Sequence, residues 1–420
     1  MNCTNMPITV NLEMTYACNA KCLFCSIKDS ISKEFVPLSD MKKLIDIFAQ
    51  ENILRINLFG GEPFLYPDII EIIKYAKSKQ MAVTGVSNGF TITDNMCKEL
   101  KKNIAGIGIS VHGLQKTHDE LMGISDAFDK TKRAIHLLSK NDIPVVINFT
   151  VTAINYTEII STVEYFKTRY NIAGVALNRF IPNENLGENI NKKLAVDELI
   201  LTKALQDLRL LQIMYKDMKC KFAIHFPFCL IKDETLRKYI GNGCGFGESY
   251  CAVNYAGDMK MCSYSNVILG NVFQTSMREM WHNHALLKEY RTGEWRPKYC
   301  KSCNEKKCKT GCKIACGNVF GVDPLFYQCD HKIRKLFRNN NNKIRRECDG
   351  TFLVLNPFCV PIKLNNIGKI ILDSCIGKYT RQDLTNMLFK EYDIPYETIE
   401  KDVSECVEKL IIAGLVREDA

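Results

Sequence analysis

The sequence lacks two features that are typical of proteins that enter or cross a membrane. Its N-terminus has no basic region followed by an apolar stretch, and no segment reaches about 18 uninterrupted apolar residues. The sequence also lacks a large excess of one charge. Its 56 Lys and Arg against 47 Asp and Glu give a net charge of +9, which is modest for this length. That charge does not in itself indicate nucleic-acid binding. We therefore expect a cytoplasmic protein without a membrane or nucleic-acid partner.

Cysteine, in contrast, is abundant. The 420 residues include 20 cysteines, which are crowded into two groups and not spread evenly. In a reducing compartment this crowding favours metal ligation over a disulfide framework. A hydrophobic content of 46% and a charged content of 25% are those of a globular protein, and the length allows two or three domains.

The first cysteine group is a loop that contains Cys18, Cys22 and Cys25 and follows an apolar run, residues 8–14, that predicts a buried strand. No fourth cysteine lies nearby in the sequence. Three thiolates can hold an iron–sulfur cluster and leave one iron open to a substrate or cofactor. Zinc is the alternative, although structural zinc normally has four protein ligands.

The first half of the chain alternates β-rich runs with helical patterns. Alternation with short connections predicts βα units, a parallel sheet and an α/β fold, and six such units suit an open or partial barrel. The predicted strands are 8–14, 53–59, 82–87, 106–111, 145–151 and 174–177, and the predicted helices are 39–50, 67–79, 94–102, 127–140 and 156–169.

Glycines and polar or charged residues that could bind a ligand follow these predicted strands. In parallel barrels the functional groups gather at the C-terminal ends of the strands, and paired glycines there let a ligand approach the backbone closely. The residues are Gly60, Gly61, Glu62 and Pro63 after strand two, Ser87 and Asn88 at strand three, Ser110 and His112 at strand four, and Arg179 after strand six.

On the CxxxCxxC spacing of the cysteine loop and the Gly-Gly-Glu-Pro motif at 60–63, residues 8 to about 180 resemble the radical S-adenosylmethionine superfamily. The resemblance implies a (β/α)6 partial TIM barrel whose three cysteines hold a [4Fe–4S] cluster. Its open iron would chelate the amino and carboxylate groups of S-adenosylmethionine. Reductive cleavage would then give a 5′-deoxyadenosyl radical that abstracts a substrate hydrogen, so the three cysteines count as catalytic.

The same resemblance implies that the strand-end residues bind the cofactor. Residues 60–62 would lie against the methionine amino group, and Ser110 would contact the ribose. His112 stands where related sequences have an aspartate, so a ribose contact and a structural histidine both stay open. Arg179 could bind a carboxylate of cofactor or substrate, or could be an ordinary surface arginine.

The second cysteine group runs from Cys244 to Cys329, and its nine thiols are too many for one metal site. Residues 255–258 predict a hairpin turn. A CxxC pair such as the one at 300–303 occurs in both zinc ribbons and iron–sulfur proteins, so it does not indicate which metal is bound. The whole pattern resembles the SPASM extension of radical enzymes that act on peptides and proteins, with four residues instead of five between Cys303 and Cys308.

By this resemblance the extension holds two auxiliary [4Fe–4S] clusters that are fully ligated. One would be bound by Cys244, Cys251, Cys262 and Cys312, and the other by Cys300, Cys303, Cys308 and Cys329. Cys316 is left over and is expected to be a buried small residue. Sulfatase-maturing relatives have an aspartate directly after the hairpin cysteine, where this chain has Ser263, so sulfatase maturation is not expected.

The last part of the chain begins with a basic, Asn-rich segment, 332–346, that predicts a linker or exposed segment. Two β-prone runs, 351–355 and 360–364, precede helical patterns near 366–375, 380–391 and 396–413. This small winged-helix-like α+β module resembles the PqqD family, which binds a leader peptide as a strand added to its sheet edge. A winged-helix dimerisation or DNA-binding domain is the alternative.

Four segments are predicted: a barrel at 1–190, a helical connector at 191–235, the SPASM extension at 236–335 and the PqqD-like domain at 336–420. We expect a radical S-adenosylmethionine oxidoreductase that modifies a ribosomally made precursor peptide, through a thioether or other crosslink. Residues 350–420 would bind the leader, and flavodoxin or ferredoxin would be the reductant. The alternatives are an enzyme for a folded protein or small molecule and a non-catalytic iron–sulfur carrier.

Overall fold

The structure is a computed structural model that describes residues 3–27, 35–241, 244–297, 300–301, 303, 308, 310–316, 322–328, 335–339, 342–355 and 361–419. The chain forms two compact units. The first contains Met1–Ile224, Asp233–Gly241 and Gly245–Arg291, and the second contains His225–Lys232, Asn242–Cys244 and Thr292–Ala420.

One large sheet organises the first unit. Its strands are β1 (Thr9–Glu13), β2 (Arg55–Phe59), β3 (Ala82–Ser87), β4 (Gly106–Ser110), β5 (Val145–Val151), β6 (Ile172–Arg179), β7 (Lys219–Phe222), β8 (Tyr250–Asn254), β9 (Asp258–Lys260) and β10 (Ile268–Asn271). β1 to β6 are parallel and lie in chain order, and β7 continues the parallel sheet beyond β6. On the other side β8 lies parallel to β1, and β9 and β10 add antiparallel strands.

Helices connect and cover these strands. They are α1 (Leu38–Gln50), α2 (Ile69–Ser78), α3 (Asp94–Asn103), α4 (Gln115–Met122), α5 (Ala127–Lys140), α6 (Ile159–Lys167), α7 (Gly187–Leu194), α8 (Glu198–Met214), α9 (Glu234–Arg237), α10 (Met277–Asn283) and α11 (Ala285–Thr292). Each longer helix buries one apolar stripe. On α5 the buried residues Phe128, Thr131, Ala134 and Leu138 recur at the three- and four-residue spacing of one helix face.

Alternate residues along the strands carry polar side chains that bond across the sheet. The side-chain amide of Asn57 donates to Oδ1 of Asn11 at 2.9 Å, and the hydroxyl of Thr84 donates to Oδ1 of Asn57 at 3.0 Å. Farther along, the amide of Asn178 donates to Oδ1 of Asn148. Because side chains alternate between the two faces of a strand, one face of this sheet is aliphatic and the other carries a row of amides.

The C-terminal part of the second unit has a core of its own. Its elements are the strands β11 (Lys335–Arg338), β12 (Lys343–Arg346), β13 (Phe352–Leu355), β14 (Ile362–Leu364) and β15 (Val416–Asp419) and the helices α12 (Asn366–Ser374), α13 (Arg381–Glu391) and α14 (Tyr396–Ile412). β12, β13 and β14 form an antiparallel sheet in that order, and β11 pairs with β15. Leu336, Val354, Leu372, Leu388 and Val407 lie in the common core.

The predicted fold class is confirmed, and the strands at 82–87 and 145–151 have the predicted bounds. The linker or exposed segment predicted at 332–346 is not a linker where β11 and β12 lie, because these strands pair with β15 and β13, although most residues of β12 are exposed. α4 was not predicted, since its sequence is mostly polar and only His118, Leu121 and Met122 are buried. No helix among the described residues is long and apolar enough to cross a membrane.

Candidate functional site

The first cysteine loop follows β1 and is bonded to the end of α4. The backbone N–H of Lys21 donates to the carbonyl of Met122 at 3.0 Å, and that of Leu23 donates to the carbonyl of Leu121 at 2.9 Å. Gly123 follows α4 with a φ of +66°, and a Cβ there would lie 2.5 Å from the carbonyl oxygen of Lys21. The helix that sequence reasoning missed therefore fixes the conformation of the loop.

The three thiols of this loop are electrostatic neighbours. Burial raises the pKa of the Cys18 thiol to about 11, with smaller contributions from Glu62 and Cys25. Burial also raises the pKa of the Cys22 thiol, and Cys25 and Cys18 raise it further. Because one loop holds three adjacent thiols, this donor set fits a four-iron cluster with one open iron. Among the described residues, no group of three or more His, Cys, Asp or Glu side chains is arranged so that it could hold a single metal ion.

Gly60 and Gly61 are packed against the start of the cysteine loop. The N–H of Gly61 donates to the carbonyl of Thr15 at 2.7 Å, and that of Glu62 donates to the carbonyl of Ala17 at 2.8 Å. A Cβ on Gly60 would overlap the Thr15 oxygen, and one on Gly61 would overlap the Ala17 oxygen. Gly60 also has a φ of +123°, which favours glycine. The glycine pair thus brings the ends of β1 and β2 into backbone contact.

Glu62 is buried and binds the loop that follows β3. Its Oε1 accepts hydrogen bonds from the Ser87 hydroxyl at 2.8 Å and the Phe64 N–H at 3.0 Å, and its Oε2 accepts one from the Asn88 N–H at 2.7 Å. Burial raises the pKa of this carboxyl to about 7, although these hydrogen bonds favour the carboxylate. Pro63 is buried and begins a 3-10 turn. Glu62 therefore holds the β2 and β3 ends together.

Asn88 extends this connection to the cysteine loop, because its side-chain amide donates to Oδ1 of Asn19 at 2.7 Å. The structure thus brings the cysteine loop, residues 60–63 and residues 87–88 into one hydrogen-bonded group. Ser110 is half-buried at the end of β4, beside Asn148 of β5. Its predicted ribose contact stays a prediction.

His112 is buried and its ring contacts the cysteine loop. Its ring lies edge-on to Phe24, with 4.8 Å between ring centroids, and its Nδ1 accepts the backbone N–H of Thr150 at 3.1 Å. Burial lowers the pKa of His112, and the neighbouring His118 lowers it further. The acceptor role of Nδ1 gives the ring a structural role and puts the proton of the neutral ring on Nε2. A cofactor contact through Nε2 stays a prediction.

Arg179 lies at the end of β6 and is 3% exposed. That burial rules out the ordinary surface arginine that the sequence left open. A buried guanidinium normally has an anionic or carbonyl partner. Its predicted binding to a carboxylate of cofactor or substrate is compatible with this position and stays a prediction.

Sequence reasoning missed a buried polar group beside the loop. Lys260, at the end of β9, lies 2.7 Å from a carboxylate oxygen of Glu13, at the end of β1, and Tyr16 donates its hydroxyl to the same oxygen at 2.8 Å. Glu13 is the one charged residue in the run 8–14, which is a signal in the sequence that a buried partner was needed.

The cysteines predicted for the first auxiliary cluster fall in both units. Cys251 is fully buried in β8, which raises the pKa of its thiol, and Cys262 follows β9. Both belong to the first unit, whereas Cys244 and Cys312 belong to the second. The backbone N–H of Cys312 donates to Oδ2 of the buried Asp323 at 2.8 Å. The four-cysteine set itself stays a prediction.

The second predicted set lies in the second unit. Burial raises the pKa of the Cys300 thiol to about 12, and the nearby Cys308 thiol raises it further. Cys303 is half-buried. Cys329 lies outside the described residues, and so does the side chain of Cys316. Sequence reasoning gave no role to Cys229, whose charge contributes to the raised pKa of the Cys300 and Cys308 thiols.

Three sequence models of protein families match successive parts of the chain. The Radical SAM superfamily matches residues 12–166, an iron–sulfur cluster-binding domain called SPASM matches 244–308, and coenzyme PQQ synthesis protein D (PqqD) matches 360–416. The first two imply S-adenosylmethionine and [4Fe–4S] clusters as cofactors, which the thiols of the first loop fit. S-adenosylmethionine and [4Fe–4S] clusters are thereby confirmed as the cofactors, and the predicted set of one open and two auxiliary clusters stays a prediction.

Among known proteins the chain is similar to an AdoMet-dependent heme synthase of Methanosarcina barkeri, with 28% identity over 74% of this chain and 92% of that protein. It is also similar to a PqqA peptide cyclase of Bradyrhizobium diazoefficiens, with 22% identity over 76% of this chain and 86% of that protein. Among solved structures, SuiB of Streptococcus suis bound to S-adenosylmethionine matches with a TM-score of 0.61, 19% identity and 74% coverage of each chain. The latter similarity establishes the shared fold.

Proposed function

We propose that this chain, in which matches to the Radical SAM superfamily, to SPASM and to PqqD follow one another, is a maturase that oxidatively modifies a ribosomally made precursor peptide. The observation that carries the proposal is the match of PqqD to residues 360–416, a range that contains the three helices of the C-terminal module and much of its core. A peptide-recognition module on a radical enzyme indicates that the substrate is a peptide.

The cysteine loop would hold the catalytic cluster through Cys18, Cys22 and Cys25. When bound there, the cluster and S-adenosylmethionine supply hydrogen abstraction by a 5′-deoxyadenosyl radical. The surrounding residues position this loop. The N–H groups of Gly61 and Glu62 bind it from β2, and Asn88 binds it from the β3 end through Asn19. Such rigid support keeps the cofactor oriented and limits the access of water.

The C-terminal module would bind the leader of the precursor as an added strand. β12 and β14 are the outer strands of its three-stranded sheet, and an extended peptide can pair with such an edge through main-chain hydrogen bonds. Leader binding would raise the local concentration of the core peptide at the barrel without changing the chemistry. The enzyme would act in the cytoplasm, with flavodoxin or ferredoxin as the reductant.

The product we propose is a thioether or other crosslink. Forming such a bond after hydrogen abstraction removes a second electron from the substrate, and two closed auxiliary clusters would accept it. The second candidate function is the modification of a small molecule. The 28% identity with a heme synthase supports it, whereas the PqqD match supports a peptide.

Anaerobic reconstitution tests the cofactors. We expect on the order of 12 irons per chain from three four-iron clusters, and reductive release of 5′-deoxyadenosine that is lost when Cys18, Cys22 and Cys25 are replaced by Ala. Iron near four per chain would contradict the three-cluster enzyme. So would an absence of cofactor cleavage by the unsubstituted protein.

Removal of the C-terminal module tests the substrate. The cut belongs before Lys335, because β11 and β12 pair with β15 and β13. We expect the shortened enzyme to lose leader binding and to keep uncoupled cleavage of S-adenosylmethionine. A precursor peptide without its leader is the matched control on the substrate side. Equal modification of both peptides by both enzymes would contradict leader binding by the module, and modification of neither peptide by the full-length enzyme would favour the small-molecule or folded-protein function.

A further inference from the structure

Helix α8 carries apolar side chains on two opposite faces. Its inner face packs against α6, β7 and α9 of the first unit. The buried apolar residues of that face are Ile200, Leu201, Ala204, Leu205, Leu208 and Leu211. Four more apolar side chains are exposed to solvent, and they are Leu199, Leu210, Ile213 and Met214. Because a helix at the surface of a globular protein normally has a polar outer face, the outer face of α8 has the character of an interface.

The four exposed side chains form one stripe along the helix, and we refer to them as the outer stripe. They fall within about 100° of one another around the helix axis at 3.6 residues per turn, on the side opposite the buried residues. Leu210, Ile213 and Met214 form a cluster at the C-terminal end. Leu199 lies alone near the N-terminal end, about 20 Å from this cluster along the axis at 1.5 Å per residue. The two most exposed members, Leu199 and Ile213, are 71% and 61% exposed.

The outer stripe is complementary to itself. A second copy of α8 packed antiparallel would place its Leu199 against the cluster of Leu210, Ile213 and Met214. Two-fold symmetry would form the same contact a second time at the other end of the helix pair. Each copy therefore offers both a single projecting side chain and a cluster that receives one.

The charges at the two ends of the helix favour the antiparallel arrangement. Asp197 and Glu198 stand at the start of α8, and the exposed Lys216 and Lys219 follow its end. An antiparallel pair brings the acidic start of each helix to the basic end of the other, and it also aligns the two helix dipoles favourably. A parallel pair would bring like charges together at both ends.

Charges near the middle of the stripe are balanced within the chain. Lys203 forms an ion pair with Asp207, one turn farther along the same helix. The guanidinium of Arg209 lies 4.0 Å from a carboxylate oxygen of Asp233. These pairs reduce the repulsion between the central cations of two copies.

We infer that the outer stripe of α8 is the interface of a homodimer, in which the two copies of the helix pack antiparallel about a two-fold axis. Burial of the apolar side chains supplies the favourable free energy, and the end charges select the orientation. One helix face is a small interface, so we expect the dimer to be in equilibrium with the monomer. This surface lies outside the candidate functional site, and the inference does not depend on the proposed function.

Sedimentation velocity of the reconstituted full chain, measured anaerobically at about 1–100 μM, tests the inference. We expect a species of twice the chain mass whose fraction rises with concentration. Leu199→Glu and Ile213→Glu should each raise the dissociation constant of the dimer by about tenfold or more, because each buries a carboxylate in an apolar interface. The matched control is Leu54→Glu, since Leu54 is 64% exposed and directly precedes β2. It should leave the dissociation constant unchanged.

A mixture of two variants tests the antiparallel arrangement. In an antiparallel pair, position 199 of one copy meets position 213 of the other. A Leu199→Glu chain and an Ile213→Lys chain should therefore associate with each other more tightly than either does with itself. In a parallel pair the two new charges would not meet. Sedimentation of the mixture with one variant fluorescently labelled measures the mixed dimer.

Three results would contradict the inference. A monomer at every concentration would overturn it and would leave the outer stripe to a different protein. A dimer that neither Leu199→Glu nor Ile213→Glu weakens would place the interface elsewhere on the molecule. A mixture that associates no more tightly than its separate components would overturn the antiparallel arrangement.

Discussion

The ammonium of Lys260 lies 2.7 Å from Oε2 of Glu13, and the two side chains are 9% and 2% exposed. Glu13 ends the strand that leads into the first cysteine loop, and Lys260 ends the hairpin strand that precedes Cys262. The ion pair thus connects β1, which precedes the first cysteine loop, to β9, which precedes Cys262 of the second cysteine group. Two buried charges of this kind depend on each other, because neither is solvated by water.

We expect Lys260→Met to lower the free energy of unfolding by about 3–5 kcal/mol, because it leaves the Glu13 carboxylate buried without a cation. Adding Glu13→Gln should recover part of that loss. Denaturant unfolding of the full chain under anaerobic conditions measures both. The matched control is Lys74→Met, which breaks an exposed pair with Glu99 at 2.8 Å and should lower the free energy of unfolding far less, because both charges are solvated. Equal losses for the two lysine variants would contradict the prediction.

Gly61→Ala should disrupt the contact between β2 and the cysteine loop. The added Cβ would overlap the carbonyl oxygen of Ala17, which is backbone and cannot swing aside. We expect a loss of about 3 kcal/mol or more in the free energy of unfolding and lower iron content after reconstitution. Gly108→Ala is the control, since its Cβ would meet no atom closer than 3.6 Å. Its stability should change by less than about 1 kcal/mol, and a similarly mild effect at Gly61 would show that the loop can shift.

Sequence reasoning found the barrel and its motif positions because these depend on local patterns. The alternating strands and helices are local, and the cysteine spacing and the Gly-Gly pair can be read directly. The sequence does not show why residues 60 and 61 are glycines, which is that their backbone contacts the backbone of Thr15 and Ala17. It also missed the pairing of Glu13 with Lys260, which are 247 positions apart. Such partners are set by the tertiary fold and leave no periodic signal.

The buried His118 should make stability fall on acidification. It accepts the backbone N–H of His112 at 3.0 Å, and burial lowers its pKa from 6.5 to about 3. The folded state therefore excludes a proton that the unfolded state takes up below about pH 6.5, so the free energy of unfolding falls as the pH drops from 6.5 toward 3, by up to about 1.4 kcal/mol per pH unit. His118→Asn should be less stable at pH 7 and have a smaller slope. Denaturant unfolding between pH 7 and pH 5 measures the slope, and an unchanged slope would contradict the prediction.

Glu62→Gln tests whether this residue holds the β3 end in place. Both carboxylate oxygens accept hydrogen bonds, Oε1 from Ser87 and Phe64 and Oε2 from Asn88. A glutamine must present its NH2 group to one of these donors, so at least one buried N–H or O–H loses its acceptor, at a cost of about 1–3 kcal/mol. The β3 end would then be freer to move, and we expect weaker binding of S-adenosylmethionine by the reconstituted enzyme. Denaturant unfolding and equilibrium dialysis measure the two effects. Glu71→Gln, at an exposed position on α2, should change neither, and a Glu62 variant that behaves like this control would show that the carboxylate does not hold the strand ends together.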